Sequence, residues 1–261
     1  MELGLKGRRV LITGGSQGIG YATAKVFLGE GCHVVIVARD EARLRDAVNS
    51  LSESAKDRVK AKSIDLTKSG AAQALADEFK DTDILVNNAG AVPTGDIFDI
   101  GEARWREAWE LKVFGYINLS RAMYAHMRAR PPKVMVNVMG LGAERPQWRY
   151  VCGNAANVAL NGKTRSLGGH SLDDGIRVVG VNPGAVDTER WRGIHRARAV
   201  KILGDASRWR EVLLKDQPEK RAAKPEEIAD VIVFLASERA SWVSGEVVNV
   251  DGGFLHRDNW F

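Results

Sequence analysis

"RRVLITGGSQGIGYATAKVFLGEG", residues 8–31, opens with an apolar run that ends in glycines, then turns to helical spacing that Gly31 closes. A short apolar run stopped by glycine reads as a buried strand, and the segment after the glycines reads as a helix. Between them lies "TGGSQGIG", residues 13–20. Gly14 suits a tight turn, while Gly18 and Gly20 let the backbone and the next helix come close. The N-terminus of that helix points its amides at the loop, where a pyrophosphate would lie. A glycine trio by itself is a turn signal; between a strand and a helix at the head of an alternating chain it predicts a dinucleotide site.

The alternation continues outward. "HVVIVARD" is a second strand, "EARLRDAVNSLSES" an amphipathic helix, "VKAKSIDLT" a strand, "GAAQALADEF" a helix and "DILVNNAG" a strand. After these come "ARWREAWELKVFGYINLSRAMYAHMRAR", "KVMVNVMG", a segment at 155–172, "IRVVGVNPG", "PEEIADVIVFLAS" and "EVVNVDGG". Strands taking turns with helices predict an α/β fold: one Rossmann-like domain over 1–261, with a doubly wound parallel sheet covered by helices on both faces. Ligands of such a sheet bind beyond the carboxyl ends of the strands. The residues of interest fall there.

With 261 residues, 44% of them hydrophobic, the chain can bury a sizeable core. No apolar run reaches the roughly 18 residues that cross a bilayer, and "MELGLKGRRV" lacks a signal-peptide block, so a cytoplasmic protein without a membrane partner is expected. Cys32 and Cys152 read as small core residues, and no metal-ligand spacing occurs. A net charge of +5, from 38 Lys and Arg against 33 Asp and Glu, is no nucleic-acid signature. The cations do gather at 189–220: Arg190, Arg192, Arg196, Arg198, Lys201, Arg208, Arg210, Lys215 and Lys220. They read as the solvated face of amphipathic helices or as an anion-attracting lid.

"TGGSQGIG", "IDLT", "NNAG", "VNPG" followed by Thr188, and "VSGEVVNVDGG" occur in one order. In this the chain resembles the short-chain dehydrogenase/reductase superfamily over nearly its whole length. The resemblance implies cofactor contacts from Gly14, Ser16, Gln17, Gly18, Ile19 and Gly20 in the glycine loop. It implies that Asp65, beside Leu66, touches adenine, and that Asn88, Ala89 and Gly90 pack behind the adenosine ribose. Pro183, Gly184, Val186 and Thr188 would lie toward the nicotinamide. NAD-preferring relatives commonly carry an acid where Ala38 stands; Arg39, one residue on, suits a ribose 2′-phosphate, so NADP(H) is favoured over NAD(H). Gln17 stands where many NADP-binding relatives have a second basic residue.

The family usually works with an asparagine, a serine, and a tyrosine and lysine spaced YxxxK. Lys112 takes the asparagine position here, Gly140 the serine, Gly153 the tyrosine and Asn157 the lysine. Tyr150 precedes Gly153 by three residues and Asn157 by seven, so on one helix the three would share a face. We therefore expect Tyr150 to exchange the proton, Lys112 to supply a cation from the neighbouring helix, and Asn157 to hold the nicotinamide ribose. The alternative for Tyr150 and Lys112 is a packed aromatic and a surface lysine. The six residues between Tyr150 and Asn157 in "LGAERPQWRYVCGNAAN" also resemble the enoyl reductase branch.

Three functions are expected from these readings. They are an NADP(H)-dependent carbonyl or alcohol oxidoreductase, an enoyl reductase, and an NADP(H)-binding sensor or partner subunit without turnover. The lid would cover a small molecule, either anionic or an acyl thioester, with Trp191, Trp209 and Trp148 as apolar walls. The resemblance implies a homotetramer or homodimer, with "FLHRDNWF" able to dock across subunits.

Overall fold

Val10, Leu11 and Ile12 are exposed by at most 1%. Consecutive residues of a strand face opposite ways, so this burial requires cover on both sides of the sheet. A computed structural model of the chain, which describes residues 2–213 and 217–257, has that arrangement. Seven strands form one parallel sheet: β1 (Arg9–Thr13), β2 (His33–Ala38), β3 (Val59–Ser63), β4 (Ile84–Asn87), β5 (Lys133–Val138), β6 (Ile176–Pro183) and β7 (Val247–Val250). Their order is β3-β2-β1-β4-β5-β6-β7. In register, Ile12 faces Ile36 of β2 and Val86 of β4, and Asn87 faces Asn137 of β5. The order reverses between β1 and β4, which leaves a crevice at their carboxyl ends.

On one face lie α1 (Gly18–Gly29), α2 (Glu41–Ala55) and α9 (Pro225–Ala236), whose Phe27, Leu51 and Ile232 pack on Val10, Ile12, Val86 and Val136. The other face carries α3 (Ala71–Glu78) and α5 (Gly115–Arg128), where Leu75, Leu119 and Met123 meet Leu11, Leu85 and Met135. The remaining helices are α4 (Glu102–Trp109), α6 (Val151–Gly168), α7 (Glu189–Leu203) and α8 (Trp209–Leu213). No helix among the described residues is long and apolar enough to cross a membrane.

Three expectations change in detail. Strand β3 stops at Ser63, because Asp65 folds its carboxylate back onto the Thr67 amide and hydroxyl, a local bond that competes with the ladder. The segment expected at 155–172 is α6, which starts at Val151 because the first helical bond runs from Asn154 N–H to the Tyr150 carbonyl. It ends at Gly168, whose missing side chain admits the Gly245 backbone, and residues Ser171–Asp174 form a separate 3₁₀ turn. Finally, α4 runs into α5 through a π-helical turn, Glu110–Phe114. Lys215 of the basic segment and residues 258–261 of the aromatic tail lie outside the described residues.

A polar group threads the centre of the sheet. Asn87 of β4 donates to Asn137 of β5 at 3.0 Å and to Ser120 of α5 at 3.1 Å, and Asn137 donates to Thr164 of α6. Lys163 of α6 donates its amine to Ser120 and Asn137. Burial pushes the Lys163 amine down from its ordinary 10.5 to about 7. Between those values the unfolded chain holds a proton that the folded one has released, so stability rises with pH across that window. In denaturant titrations from pH 7 to 10, the wild type should therefore gain stability relative to Lys163→Met. Parallel curves would show that the amine keeps its ordinary titration.

Candidate active site

The glycine loop leaves β1 with Gly14 at φ +67°, a left-handed backbone that glycine adopts without strain. A Cβ on Gly20 would lie 2.3 Å from the Gly14 carbonyl oxygen and 2.6 Å from Asn88 Nδ2, so the first turn of α1 reaches this position only as glycine. Asn88 donates its amide to the Thr13 and Gly14 carbonyls at 3.0 and 3.2 Å. The Thr13 hydroxyl accepts from Asn88 N–H and Ala89 N–H at 2.9 and 3.0 Å. The loop after β1 and the loop after β4 are thus sewn together, and the α1 N-terminus opens beside them. The Thr188 methyl sits against Gly18, and the Thr188 hydroxyl caps α7 by accepting from Trp191 N–H.

Other expected cofactor residues ring the same edge. Val186 and Leu66 are buried, and Gly184 lies where a Cβ would meet Asp251. Against the cost of burial, the Thr67 bonds, with Arg39 and Lys68, hold the Asp65 carboxyl below its usual range. Near Ser16 and Gln17 an open cavity of about 370 Å³ is lined by both, with Tyr21, Arg43 and Ser50. Arg43, which the sequence reading missed, donates to the Gln17 amide oxygen at 3.2 Å. It lies in the first turn of α2, four residues after Arg39, which precedes that helix.

The four positions expected to depart from the family pattern lie around the carboxyl ends of β4 and β5. Tyr150 is the residue before α6, with φ −142° and ψ 31°, and so is not placed by helical spacing as the sequence predicted. Its ring nevertheless folds onto Gly153: a Cβ there would lie 2.0 Å from Tyr150 Cζ. The ring packs with Val92, Ile100, Trp105, Trp109 and Cys152. A Cβ on Gly140 would come 3.0 Å from Asn157 Nδ2, so the buried Asn157 amide borders that second vacated position.

Lys112 points inward from the π-helical turn, a distortion frequent at functional sites. It is 7% exposed and therefore no surface lysine. Its amine donates to the Val138 carbonyl at 2.8 Å, to the Tyr116 hydroxyl at 3.2 Å and to the Met139 carbonyl at 3.4 Å. Burial, then the charge of Arg190, lowers it from 10.5 to about 7. These three partners direct the amine to the end of β5, and no hydrogen bond joins it to Tyr150 among the described residues. Tyr116 also went unread, although it follows Lys112 at i+4. Burial raises the Tyr150 phenol above its ordinary value of 10.0; Arg190 draws it down and Cys152 pushes it up.

The described part of the segment expected as a lid resolves residue by residue. Arg192 pairs with Asp187 through two bonds, Arg196 with Glu189 and Arg208 with Glu211, as expected of a solvated helical face. Trp191 stacks edge-on to His195 and Trp209 at 4.5 and 5.4 Å, so these tryptophans pack the lid itself. Trp148 is 63% exposed. A larger cavity of about 450 Å³, on Trp105, Trp109 and Phe114, holds none of the predicted site residues. No group of three or more metal-ligating side chains occurs among the described residues.

Residues 14–255 match the family described as Enoyl-(Acyl carrier protein) reductase. Cis-4-hydroxycyclohexanecarboxylate dehydrogenase of Sinomonas cyclohexanicum is 33% identical, covering 95% of this chain and 96% of that protein. The structure of L-sorbose reductase from Gluconobacter frateurii, complexed with NADPH and L-sorbose, is 34% identical with a TM-score of 0.90, covering 99% of this chain and 100% of that one. An NADPH-bound short chain oxidoreductase of Pseudomonas aeruginosa containing an atypical catalytic center is 31% identical with a TM-score of 0.81, covering 94% of this chain and 96% of that one.

The contact between ring and glycine can be tested directly. Gly153→Ala forces the Tyr150 ring away and should cost about 1–3 kcal/mol of stability, as overpacking does. In a Tyr150→Ala background the same change should cost almost nothing. A denaturant double-mutant cycle reads the coupling, and additive effects would place the ring elsewhere.

Proposed function

The chain belongs to the short-chain dehydrogenase/reductase superfamily, and from that membership we propose that it is an NADP(H)-dependent oxidoreductase whose displaced tyrosine, Tyr150, exchanges the proton. The observation that carries this reading is the Tyr150 ring over Gly153, in the space that the family's tyrosine would share. NADPH in the related structures supports the cofactor assignment.

The residues fit such a cofactor. The cradle at Gly14 and Gly20 admits backbone where any Cβ would intrude, and the α1 N-terminus offers amides for a pyrophosphate. Arg43, bonded to Gln17, brings one guanidinium group to the glycine loop, and Arg39, just after β2 with its charge acting on Asp65, would supply a second for a 2′-phosphate. When bound, the nicotinamide supplies or accepts the hydride. Tyr150 then gives a proton to a carbonyl oxygen in reduction, or takes it from an alcohol in oxidation. Burial moves the phenol further above its ordinary value of 10.0, so at neutral pH it carries the proton that a reduction would use. The Asn157 amide orients the nicotinamide ribose, and Lys112, tied to the end of β5, holds the Val138 and Met139 carbonyls in place. The family described as enoyl reductase and the Tyr150–Asn157 spacing support a second reading, reduction of a carbon–carbon double bond.

Both readings predict that Tyr150→Phe lowers turnover at least about 100-fold while NADPH binding by fluorescence titration is unchanged. A panel of ketones, alcohols and enoyl thioesters, followed at the nicotinamide absorbance, separates the two chemistries. Full activity of Tyr150→Phe would falsify the assignment, and tight NADPH binding with no turnover on the whole panel would favour a binding-only protein. Loss of one charged hydrogen bond to phosphate costs about 1.5–3 kcal/mol. Arg39→Ala or Arg43→Ala should accordingly weaken NADPH binding about tenfold or more and leave NADH binding unaltered.

A further inference from the structure

Arg190 lies in the first turn of α7, where the lid begins. Its Nη1 donates to the Gly90 carbonyl, and its Nη2 to the Val92 carbonyl at 2.7 Å. One carbonyl belongs to a neighbour of Lys112 and the other to a neighbour of Tyr150. Gly90 is the residue on which Lys112 packs, since a Cβ there would lie 2.7 Å from Lys112 Cδ. Val92 shares the apolar cluster of Tyr150. One guanidinium therefore bridges from the lid to the loop that borders both side chains.

Arg192, Arg196 and Arg208 on the same lid are paired with carboxylates. Arg190 is held by neutral carbonyls, with no carboxylate in ion-pair contact among the described residues. Its charge consequently reaches the site without a counter-ion beside it. The other groups around Tyr150 supply no equivalent. From α4 come Trp105 and Trp109, with Arg104 acting on the Cys152 thiol. From the segment after β4 come Val92 and Ile100, with Asp99 against Gly95, which pairs with Tyr150. From α6 come Cys152 and Gly153, with the uncharged Asn157 one further turn on, and from the segment before it Gly142 and Arg149. The Lys112 amine is turned to the β5 carbonyls. The cation whose field acts on the phenol is Arg190, and it opposes the effect of burial.

We propose that Arg190 is the positioning cation of this site, held by the Gly90 and Val92 carbonyls so that its charge stands at the loop that packs against Tyr150. The assignment rests on the reading of Tyr150 as the proton-exchanging residue. It places on α7 a charge that Asn157, an amide, does not carry.

The test reads Tyr150 directly. In a stopped-flow pH jump, completed before alkaline unfolding, tyrosinate absorbance of the full chain minus that of Tyr150→Phe isolates one of the four tyrosines. The same difference is measured in Arg190→Gln, which keeps hydrogen-bond donors and loses the charge, and in Arg190→Lys, which keeps the charge and loses the fork. Removing an adjacent cation raises the titration of an acid by about one unit. The expected result is a Tyr150 midpoint about one pH unit higher in Arg190→Gln and within a few tenths of wild type in Arg190→Lys. Where turnover is measurable, the alkaline limb of kcat should move up with it. An unmoved midpoint in Arg190→Gln overturns the proposal, and an equal rise in both variants does so too, because the fork would then matter and not the charge. Absence of turnover in the wild type would defeat the oxidoreductase reading while leaving this titration interpretable.

Discussion

The Thr13 hydroxyl, accepting the N–H groups of Asn88 and Ala89, joins the carboxyl ends of β1 and β4 where the order of the sheet reverses. Every part of the site hangs from that junction. It sets the glycine loop against the loop after β4, which leaves the α1 N-terminus open toward the crevice. It also locates Gly90, on which Lys112 packs from one side and to whose carbonyl Arg190 donates from the lid. The junction tolerates no bulk, since a single Cβ on Gly20 would collide with the Gly14 carbonyl.

The centre expected to depart from the family pattern shows how neighbours cover residues without side chains. Gly153 has no side chain, and the Tyr150 ring covers it; Gly140 has none, and the Asn157 amide borders it. The close-packed interior leaves little space empty, so a lost side chain invites a neighbour. Lys112 obeys the same logic along the chain. One π-helical turn between α4 and α5 directs its amine to the Val138 and Met139 carbonyls, where three acceptors offset the cost of burying it.

Two amines, buried Lys112 and part-buried Lys163, are each drawn to about 7 by burial. Lys163 belongs to the Asn87–Asn137–Ser120 network inside the sheet, and Lys112 to the site. A phenol raised by burial and a guanidinium bonded to the Gly90 and Val92 carbonyls complete an environment in which charge is rationed. Among the lid cations, contact with carboxylates neutralises Arg192, Arg196 and Arg208, whereas Arg190 faces the loop after β4.

The alternation of buried strands and helices, the crevice and the glycine cradle were legible in the sequence. They arise from local periodicity and from the steric demands of Gly14 and Gly20, which any chain with that spacing must meet. That Gly140, Gly153 and Asn157 depart from the family pattern was an expectation from residue identity alone. It placed Tyr150 on a helix, yet the first helical bond closes on its carbonyl and leaves it as the cap. Arg190 carried no signal among nine clustered cations, since its partners, the Gly90 and Val92 carbonyls, lie about one hundred residues away in the chain. Local spacing thus determined the fold and the cofactor cradle; which cation meets which carbonyl, and which ring fills which gap, was decided by packing between distant segments.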